Sequence, residues 1–389
     1  MKYILRDYQK DAVQIGIDFF KQKKPKPGLI VAACASGKSL IIANIAKELN
    51  ENVLILQPSI ELLKQNYEKY ISYGNVASIY SAGGGSKEIG KVTFATLGSV
   101  KNSMELFSEF TCIIIDEAHN YPPSADGMFV KLTQSIGKVK ILGLTATPFR
   151  LKTYQAFGDL PRRSMLKMLD TTRPKIFSQY LYCIQINTLY DLGFLSPLKY
   201  IDLAFNSCKL KNTSSGLDYT DESMVESFVD NNMLNKIKLI SEKSSGKRKH
   251  GLIFVPTLEI ANEIYQNLDS SIIISSKLNK KERELYLSEF IKGKYRWAIN
   301  VGTLTTGFDF PAIDIIIMAR PTNSLALYMQ ILGRGVRLFA DKKDCVIVDL
   351  VGNHRKFGDF NNITIENRLG KWGVFNGDQE LTNQPSYGN

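Results

Sequence analysis

Short, unbroken apolar runs alternate along this chain with stretches whose apolar residues recur every three or four positions. Unbroken runs mark strands buried on both faces, and the helical period marks the elements that cover them. In the first half the runs predict strands at 28–34, 52–57, 92–96, 111–116 and 140–144, with helices at 38–49 and 60–70 between them. The scheme then repeats, with strands at 251–255, 271–275, 296–301, 314–319 and 344–350. Strands and helices in alternation give open, mostly parallel sheets covered by helices, so the expected fold is α/β in two tandem lobes. The boundaries read as a first lobe over 1–155, an irregular connector over 156–235 packing near the second lobe, a second lobe over 236–355, and a tail over 356–389.

The connector is less regular than the lobes. Residues 206–221 are polar and rich in Ser, Thr and Lys, which predicts an exposed loop. Residues 182–203 read as strand, helix, strand, with Gly193 and Pro197 at the turns. Beyond Asn353 the chain turns polar and rich in Gly and Asn, a pattern that fits a lid, an edge strand or disorder alike.

Composition narrows the classes. No run approaches the roughly 20 apolar residues that cross a bilayer, and the N-terminus lacks the apolar stretch of a signal peptide. A cytoplasmic protein with no membrane contact is expected. The five cysteines form no C-x-x-C pair and the three histidines are scattered, so no structural zinc is expected. The 49 Lys plus Arg against 38 Asp plus Glu leave a net charge of +11, which favours a polyanionic partner through counterion release.

Chemistry concentrates at the ends of the predicted strands. The strand GLIVAAC runs into Ala35-Ser36-Gly37-Lys38-Ser39 and an apolar helix, the context of a phosphate-binding loop. Backbone amides and the helix N-terminus suit phosphates. Lys38 reaches the β/γ-phosphates there, and Ser39 offers its hydroxyl to Mg²⁺. Ala35 stands where Gly is usual and Cys34 where Thr is usual; a positive φ at Ala35 would strain it by ~1 kcal/mol or more. Asp116-Glu117-Ala118-His119 closes the apolar strand at 112–115, on the edge where open α/β sheets bind ligands. Asp116 would hold Mg²⁺, and Glu117 would position or deprotonate the attacking water. His119 either couples the lobes or bonds a nearby backbone carbonyl. Thr145-Ala146-Thr147-Pro148 ends another strand on the same edge. In the second half, Arg334 and Arg337 lie three apart, which on a helix places them on one face. Guanidinium groups facing a γ-phosphate stabilise transition-state charge, so these two read as arginine fingers, with ATP hydrolysed only when the lobes close.

Leu5-Arg6-Asp7-Tyr8-Gln9, ACASGKS, IIIDEAHN, LTATPFR, TTGFD and QILGRGVR, in this order, resemble superfamily 2 helicases of the DEAH-box kind. LTATPFRL, LTTGFD, GRGVRL and the run Asp349 to Asn353 are similar to RadD-like bacterial DNA repair helicases, here without the cysteine-rich C-terminal region. The resemblance spans roughly residues 3–355 and implies two RecA-like lobes. It implies that Gln9 reads adenine, with Arg6 and Tyr8 nearby. It assigns Gly307 and Asp309 to linking nucleotide and nucleic acid, and Thr145, Thr147 and Gln330 to coupling. It gives backbone contacts to Ser59, Thr96, Ser99, Thr257, Thr303 and Thr305, small hydroxyl residues that grip phosphate without reading bases.

The expected activity is that of an ATP- and Mg²⁺-dependent DNA helicase or translocase acting on branched or damaged DNA in repair or recombination. The rivals are the motor of a restriction-type complex, an RNA helicase, and a nucleic-acid-binding module with a degenerate ATP site. Other features are read blandly. The basic runs at 21–26 and 243–250 are solvated, with a nucleic-acid contact as the alternative, and for Phe149 and Arg150 the resemblance implies a structural hinge more than a base-stacking wedge. Trp297 is core, and Trp372 is left between base stacking and anchoring the tail.

Overall fold

In this computed structural model, the described residues are 3–121, 124, 127–154, 163–303 and 309–383. They fall into two compact units, Met1–Arg150 with Lys167–Gln185, and Leu151–Leu166 with Ile186–Asn389.

The first unit begins with helix α1 (Asp7–Lys21), whose first turn is closed by a reciprocal pair: the Arg6 amide donates to the Gln9 side chain at 2.9 Å. Then follow β1 (Gly28–Ala32), α2 (Lys38–Glu48), β2 (Val53–Gln57), α3 (Ile60–Ser72), the short β3 (Ser78–Ser81) and β4 (Ser86–Lys87), β5 (Val92–Thr96), α4 (Leu97–Val100), β6 (Cys112–Ile115), α5 (Met128–Ile136) and β7 (Lys140–Thr145). A two-stranded ribbon, β8 (Phe149–Tyr154) and β9 (Arg163–Met168), carries the chain from the first unit to the second and back, and β10 (Gln179–Ile184) completes the first sheet. The strand order is β10-β1-β7-β6-β2-β5-β3-β4, parallel except for the β3–β4 pair. The central strands are unbroken apolar runs because helices cover both faces; every residue of β1, β2 and β6 is buried. Each isoleucine of β6 contributes about 1.5–3 kcal/mol by that burial. Gly143 in β7 leaves room for its neighbours: a Cβ there would meet Leu29 at 2.7 Å and Ala118 at 2.8 Å.

The second unit contains α6 (Ile186–Asp191), β11 (Leu198–Asp202), α7 (Asp221–Asp230), α8 (Met233–Ser244), β12 (Gly251–Phe254), α9 (Leu258–Asn267), β13 (Ser271–Ser275), α10 (Lys280–Ile291), β14 (Trp297–Val301), β15 (Ile315–Met318), α11 (Leu325–Gly335), β16 (Cys345–Asp349) and α12 (Asn353–Phe357). Its sheet runs β11-β16-β15-β12-β14-β13, and every pair is parallel. Two parallel-sheet lobes are therefore present, as the alternation of apolar runs implied.

Between and beyond the lobes the structure departs from the sequence reading. The strands read at 182–203 exist, but β10 joins the first sheet beside β1 and β11 joins the second beside β16. Residues 206–221 form the irregular, largely exposed loop expected, and a few of its polar side chains anchor it. Asn212 bridges to Tyr219, and Asp218 accepts from the Asn323 amide at 3.1 Å while pairing with Arg320 at 3.3 Å. Asp218 thereby ties the segment to the loop after β15. The tail forms an antiparallel sheet of β17 (Ile363–Arg368), β18 (Lys371–Asn376) and β19 (Gln379–Glu380), and Trp372 lies in it opposite Asn367. Trp297 is fully buried, with its indole N–H donating to Ser241 at 2.9 Å. No helix among the described residues is long and apolar enough to cross a membrane.

His354 ties α12 to its surroundings. One ring nitrogen is 2.7 Å from Asp202 at the end of β11, the other 2.7 Å from Asp359, and the ring stacks on Tyr200. Burial alone would lower its pKa, but the hydrogen bonds and charges of Asp359 and Asp202 outweigh it and hold the pKa above its ordinary value. A pKa raised on folding gives stability that is complete below the unfolded value, about 6.5, and lost as pH climbs through the folded value. Chemical denaturation of wild type against His354→Gln should therefore show a stability gap that is widest near pH 6 and narrows above neutrality; a gap that does not change with pH would contradict this.

Candidate functional site

The loop after β1 is shaped by backbone conformations that side chains resist. Ala35 has φ 63° and Gly37 has φ 82°, both left-handed. The strain expected at Ala35 is thus present, ~1 kcal/mol for an L-residue in that region. Gly37 answers a second constraint, since a Cβ there would stand 2.4 Å from the Gln9 amide nitrogen. Gln9 is 4% exposed and donates to the Ser36 carbonyl at 2.7 Å. Tyr8 donates to the same oxygen at 3.2 Å, and Arg6 donates to the Tyr8 hydroxyl at 3.2 Å. The N-terminal motif therefore braces the loop from outside. Gly37 is the N-cap of α2 and no side chain caps that helix, so the first-turn amides are left for an anion.

Asp116, Glu117, His119, Thr145 and Thr147, strand-end residues of the first unit, gather with Lys38. The Lys38 ammonium lies 3.2 Å from Glu117, with side chains only 14% and 16% exposed. Burial alone would lower the Lys38 pKa, but Glu117, Cys34 and Asp116 outweigh it and raise it, so the amine is charged. Glu117 sits at φ 47°, a left-handed turn that follows the buried β6. His119 Nδ1 is 2.8 Å from the Thr145 hydroxyl and 3.1 Å from that of Thr147. These contacts bind the turn after β6 to the loop after β7. Burial drops its pKa to about 4, so the ring is neutral and its 3.5 Å approach to Glu117 is no ion pair. Asp116 is 2% exposed, and its pKa is pushed up to about 6 by burial and by Glu117, against Lys38 and a hydrogen bond from Asn66.

Asn66 escaped the sequence reading. Its amide donates to Asp116 at 2.8 Å from within the buried stripe of α3, Leu63, Asn66 and Tyr70. A polar residue on that apolar stripe was the available signal. Arg150 also does more than mark a hinge: it donates to the carbonyls of Ala118 and Tyr121, closing the β6 turn, and burial lowers its pKa to about 10.

The residues present fit a nucleotide with Mg²⁺. The Ser36 hydroxyl is buried and has no hydrogen-bond partner among the described residues, so it can donate to a phosphate oxygen. Among those residues no group of three or more His, Cys, Asp or Glu is disposed to hold a metal. A cation would depend on Ser39, Asp116 and the phosphates themselves, the usual arrangement for Mg²⁺.

Of the hydroxyl residues assigned to a backbone, Ser59 and Thr257 cap helices. Ser59 caps α3, accepting from the Leu62 amide at 3.3 Å, and Thr257 caps α9 in the same way. Thr96 and Ser99 share a 2.9 Å hydrogen bond, and Thr303 donates to Asn300 at 2.9 Å. Thr305 and Gly307 lie outside the described residues. In the second unit Arg337 pairs with Asp309 at 2.7 Å, Arg334 is 8% exposed and Gln330 is half-buried. The expected shared helical face is not formed. Helix α11 ends at Gly335, and Arg337 lies beyond it in the chain that follows the glycine-flanked terminus.

Comparison with known proteins follows this geometry. The family described as "Type III restriction enzyme, res subunit" matches residues 2–150, and "Helicase conserved C-terminal domain" matches 231–339. IRC3 of Saccharomyces cerevisiae, named as an ATP-dependent helicase, is 23% identical over 374 residues, covering 90% of this chain and 52% of that protein. The DNA 3'-5' translocase XPB2 of Sulfurisphaera tokodaii is 25% identical over 377 residues, covering 90% of this chain and 82% of that one. The chain thus spans about half the length of the yeast relative. Among solved structures, an HsdR-subunit fragment of a type I restriction enzyme from Vibrio vulnificus YJ016 superposes with a TM-score of 0.66 at 21% identity, over 92% of this chain and 66% of that one, a likeness of fold.

The strained loop offers a direct check. Ala35→Gly removes the left-handed penalty and should raise stability by up to about 1 kcal/mol, read by urea denaturation, less the entropy that glycine adds to the unfolded chain. A destabilised variant would show that the Ala35 methyl group stabilises the loop.

Proposed function

We propose that this chain, a helicase of the superfamily 2 type by the domains it carries, is an ATP-dependent DNA translocase or helicase with branched or damaged DNA as its substrate. The observation that carries the ATPase part is the junction of Lys38, Glu117, His119, Thr145 and Thr147 at the carboxyl ends of three strands. Ligands of open α/β sheets bind at such an edge. In this reading the α2 amides and Lys38 seat the triphosphate, and Glu117 is released from Lys38 to orient the attacking water. Ser39 and Asp116 would hold Mg²⁺, which would supply charge neutralisation. Asn66 fixes the Asp116 carboxylate, and Gln9 reads adenine from the loop it braces. His119, neutral, passes a change at Glu117 to Thr145 and Thr147. Arg334 and Arg337 supply transition-state charge from the second unit, Arg337 leaving Asp309 to do so, and Gln330 and Gly307 belong to the same coupling.

DNA as the partner is supported by the net charge of +11 and by a DNA translocase relative that aligns along most of its length. Ser59, Thr96, Ser99, Thr257, Thr303 and Thr305 would hold phosphates without sequence preference. The match of 2–150 to a restriction-enzyme subunit family favours one second reading, the motor of a restriction-type complex.

Lys38→Ala should lower ATP turnover at least ~100-fold, and Arg337→Ala by ~1,000-fold or more, in chains that circular dichroism shows to be folded at the assay temperature. The wild-type rate should rise with single-stranded or forked DNA more than with duplex DNA or RNA. A rate indifferent to all four, or turnover unchanged by Lys38→Ala, refutes the proposal; stimulation by duplex alone favours the restriction-type motor.

A further inference from the structure

Three loops at the carboxyl edge of the second sheet enclose a cup of about 290 Å³ that neither the ATPase residues nor the backbone-gripping hydroxyls use. Its walls follow β11, β15 and β16, and they include Phe205, Tyr219, Thr322, Asn353, Arg355 and Lys356. The cup is stitched together by side chains. Asn353 accepts from the Thr322 amide at 3.1 Å and donates to the Arg320 carbonyl at 2.9 Å, locking the loop after β15 to the loop after β16. Asp349 accepts from the amides of Val351 and His354 at 3.0 and 2.6 Å, fixing the turn that follows β16. Asp218 binds the polar segment 206–221 to Arg320 and Asn323, which sets Tyr219 at the cup.

The lining chemistry is selective. It contains two cations, Lys356 and Arg355, and no carboxylate. The Lys356 ammonium turns in to three neutral oxygens, those of Asn323, Thr322 and Tyr219, and stands 5.6 Å above the Tyr219 ring. Burial of that ammonium lowers its pKa to about 8, a penalty that an arriving anion would relieve. Phe205 and Tyr219 are half-buried and present aromatic surface. An aromatic platform beside cations is the chemistry of single-stranded nucleic-acid binding. The volume admits one nucleotide and is too small for a helix. Along the same edge, β12 and β14 carry Thr257 and Thr303, within about 15 Å at ~4.8 Å per strand.

The geometry points to this cup as a nucleotide subsite: it takes one nucleotide of the bound single strand, the base against Tyr219 and the phosphate on Arg355 and Lys356. The inference rests on the reading of the chain as a DNA motor and adds a grip on a base to grips on the backbone.

The test crosses two changes, using fluorescence anisotropy of the full chain. Wild type, Tyr219→Ala, Tyr219→Phe and Arg355→Ala are titrated against labelled oligo(dT) and against an abasic oligonucleotide of equal length. Tyr219→Ala should weaken oligo(dT) binding about tenfold, the usual loss for one stacked base, and leave abasic binding unchanged. Tyr219→Phe should restore affinity. Arg355→Ala should weaken both ligands and reduce the magnitude of the salt slope by about 0.7, one phosphate contact on a single strand. Equal losses on the two ligands, or no loss on either, overturn the cup while leaving the motor reading intact. A wild-type chain that binds neither oligonucleotide removes both readings, and competition by a phosphopeptide with oligo(dT) affinity unaffected by Tyr219→Ala assigns the cup to a protein partner instead.

Discussion

The ion pair between Lys38 and Glu117 is the constraint around which the first unit is arranged. At 3.2 Å, and with both side chains mostly buried, the two charges attract by about 5 kcal/mol at an effective dielectric of about 20, before desolvation is subtracted. Neither charge is stable there alone. The loop after β1 supplies the cation, and the turn after β6 supplies the anion. Each turn is held in a left-handed conformation, at Ala35 and Glu117, by neighbours that over-determine it. Gln9 and Tyr8 hold the first through one carbonyl, and Arg150 holds the second through two. In the proposed function, a γ-phosphate that took the Lys38 ammonium would free a carboxylate beside the place where water would attack. The resting pair thus becomes a working pair without new parts.

The same logic repeats in the second unit with different chemistry. Carboxyl ends of parallel strands again gather polar residues, and again a hydroxyl caps the helix that follows, Thr257 on α9 as Ser59 does on α3. Here the paired charges are Arg337 and Asp309. Lys38 and Arg337 therefore each rest on a carboxylate of their own unit, with which a substrate would have to compete. Competition of this kind makes catalysis conditional on binding, which is what a motor requires.

The sheets were legible because a strand buried on both faces must be an unbroken apolar run, as in Ile113 to Ile115 and Ile315 to Ile317. The placement of β10 was not, since QYLYCI is half-buried and its partner β1 lies some 150 residues away. Residues 206–221 were legible as an exposed loop, but the contacts that anchor it through Asp218 and Asn212 to Arg320 and Asn323 were not, because composition does not distinguish them from solvation. The gathering of Lys38, Asp116, Glu117 and Thr145 on one edge followed from their strand-end positions. The partners of His119 lie 26 and 28 residues away and needed coordinates, whereas Asn66 was visible in principle as a polar residue on the stripe from Leu63 to Tyr70. The helical face assumed for Arg334 and Arg337 failed because α11 ends at Gly335, two residues before Arg337.

The central claim is that Glu117 restrains Lys38 at rest and is needed for chemistry, not for holding nucleotide. Measuring ATP affinity and single-turnover hydrolysis together for Glu117→Gln tests it most directly. The account predicts affinity equal to or tighter than wild type, because the competitor for the ammonium is weakened, with hydrolysis slowed at least ~100-fold. Hydrolysis near the wild-type rate, or nucleotide binding lost along with it, would contradict the account.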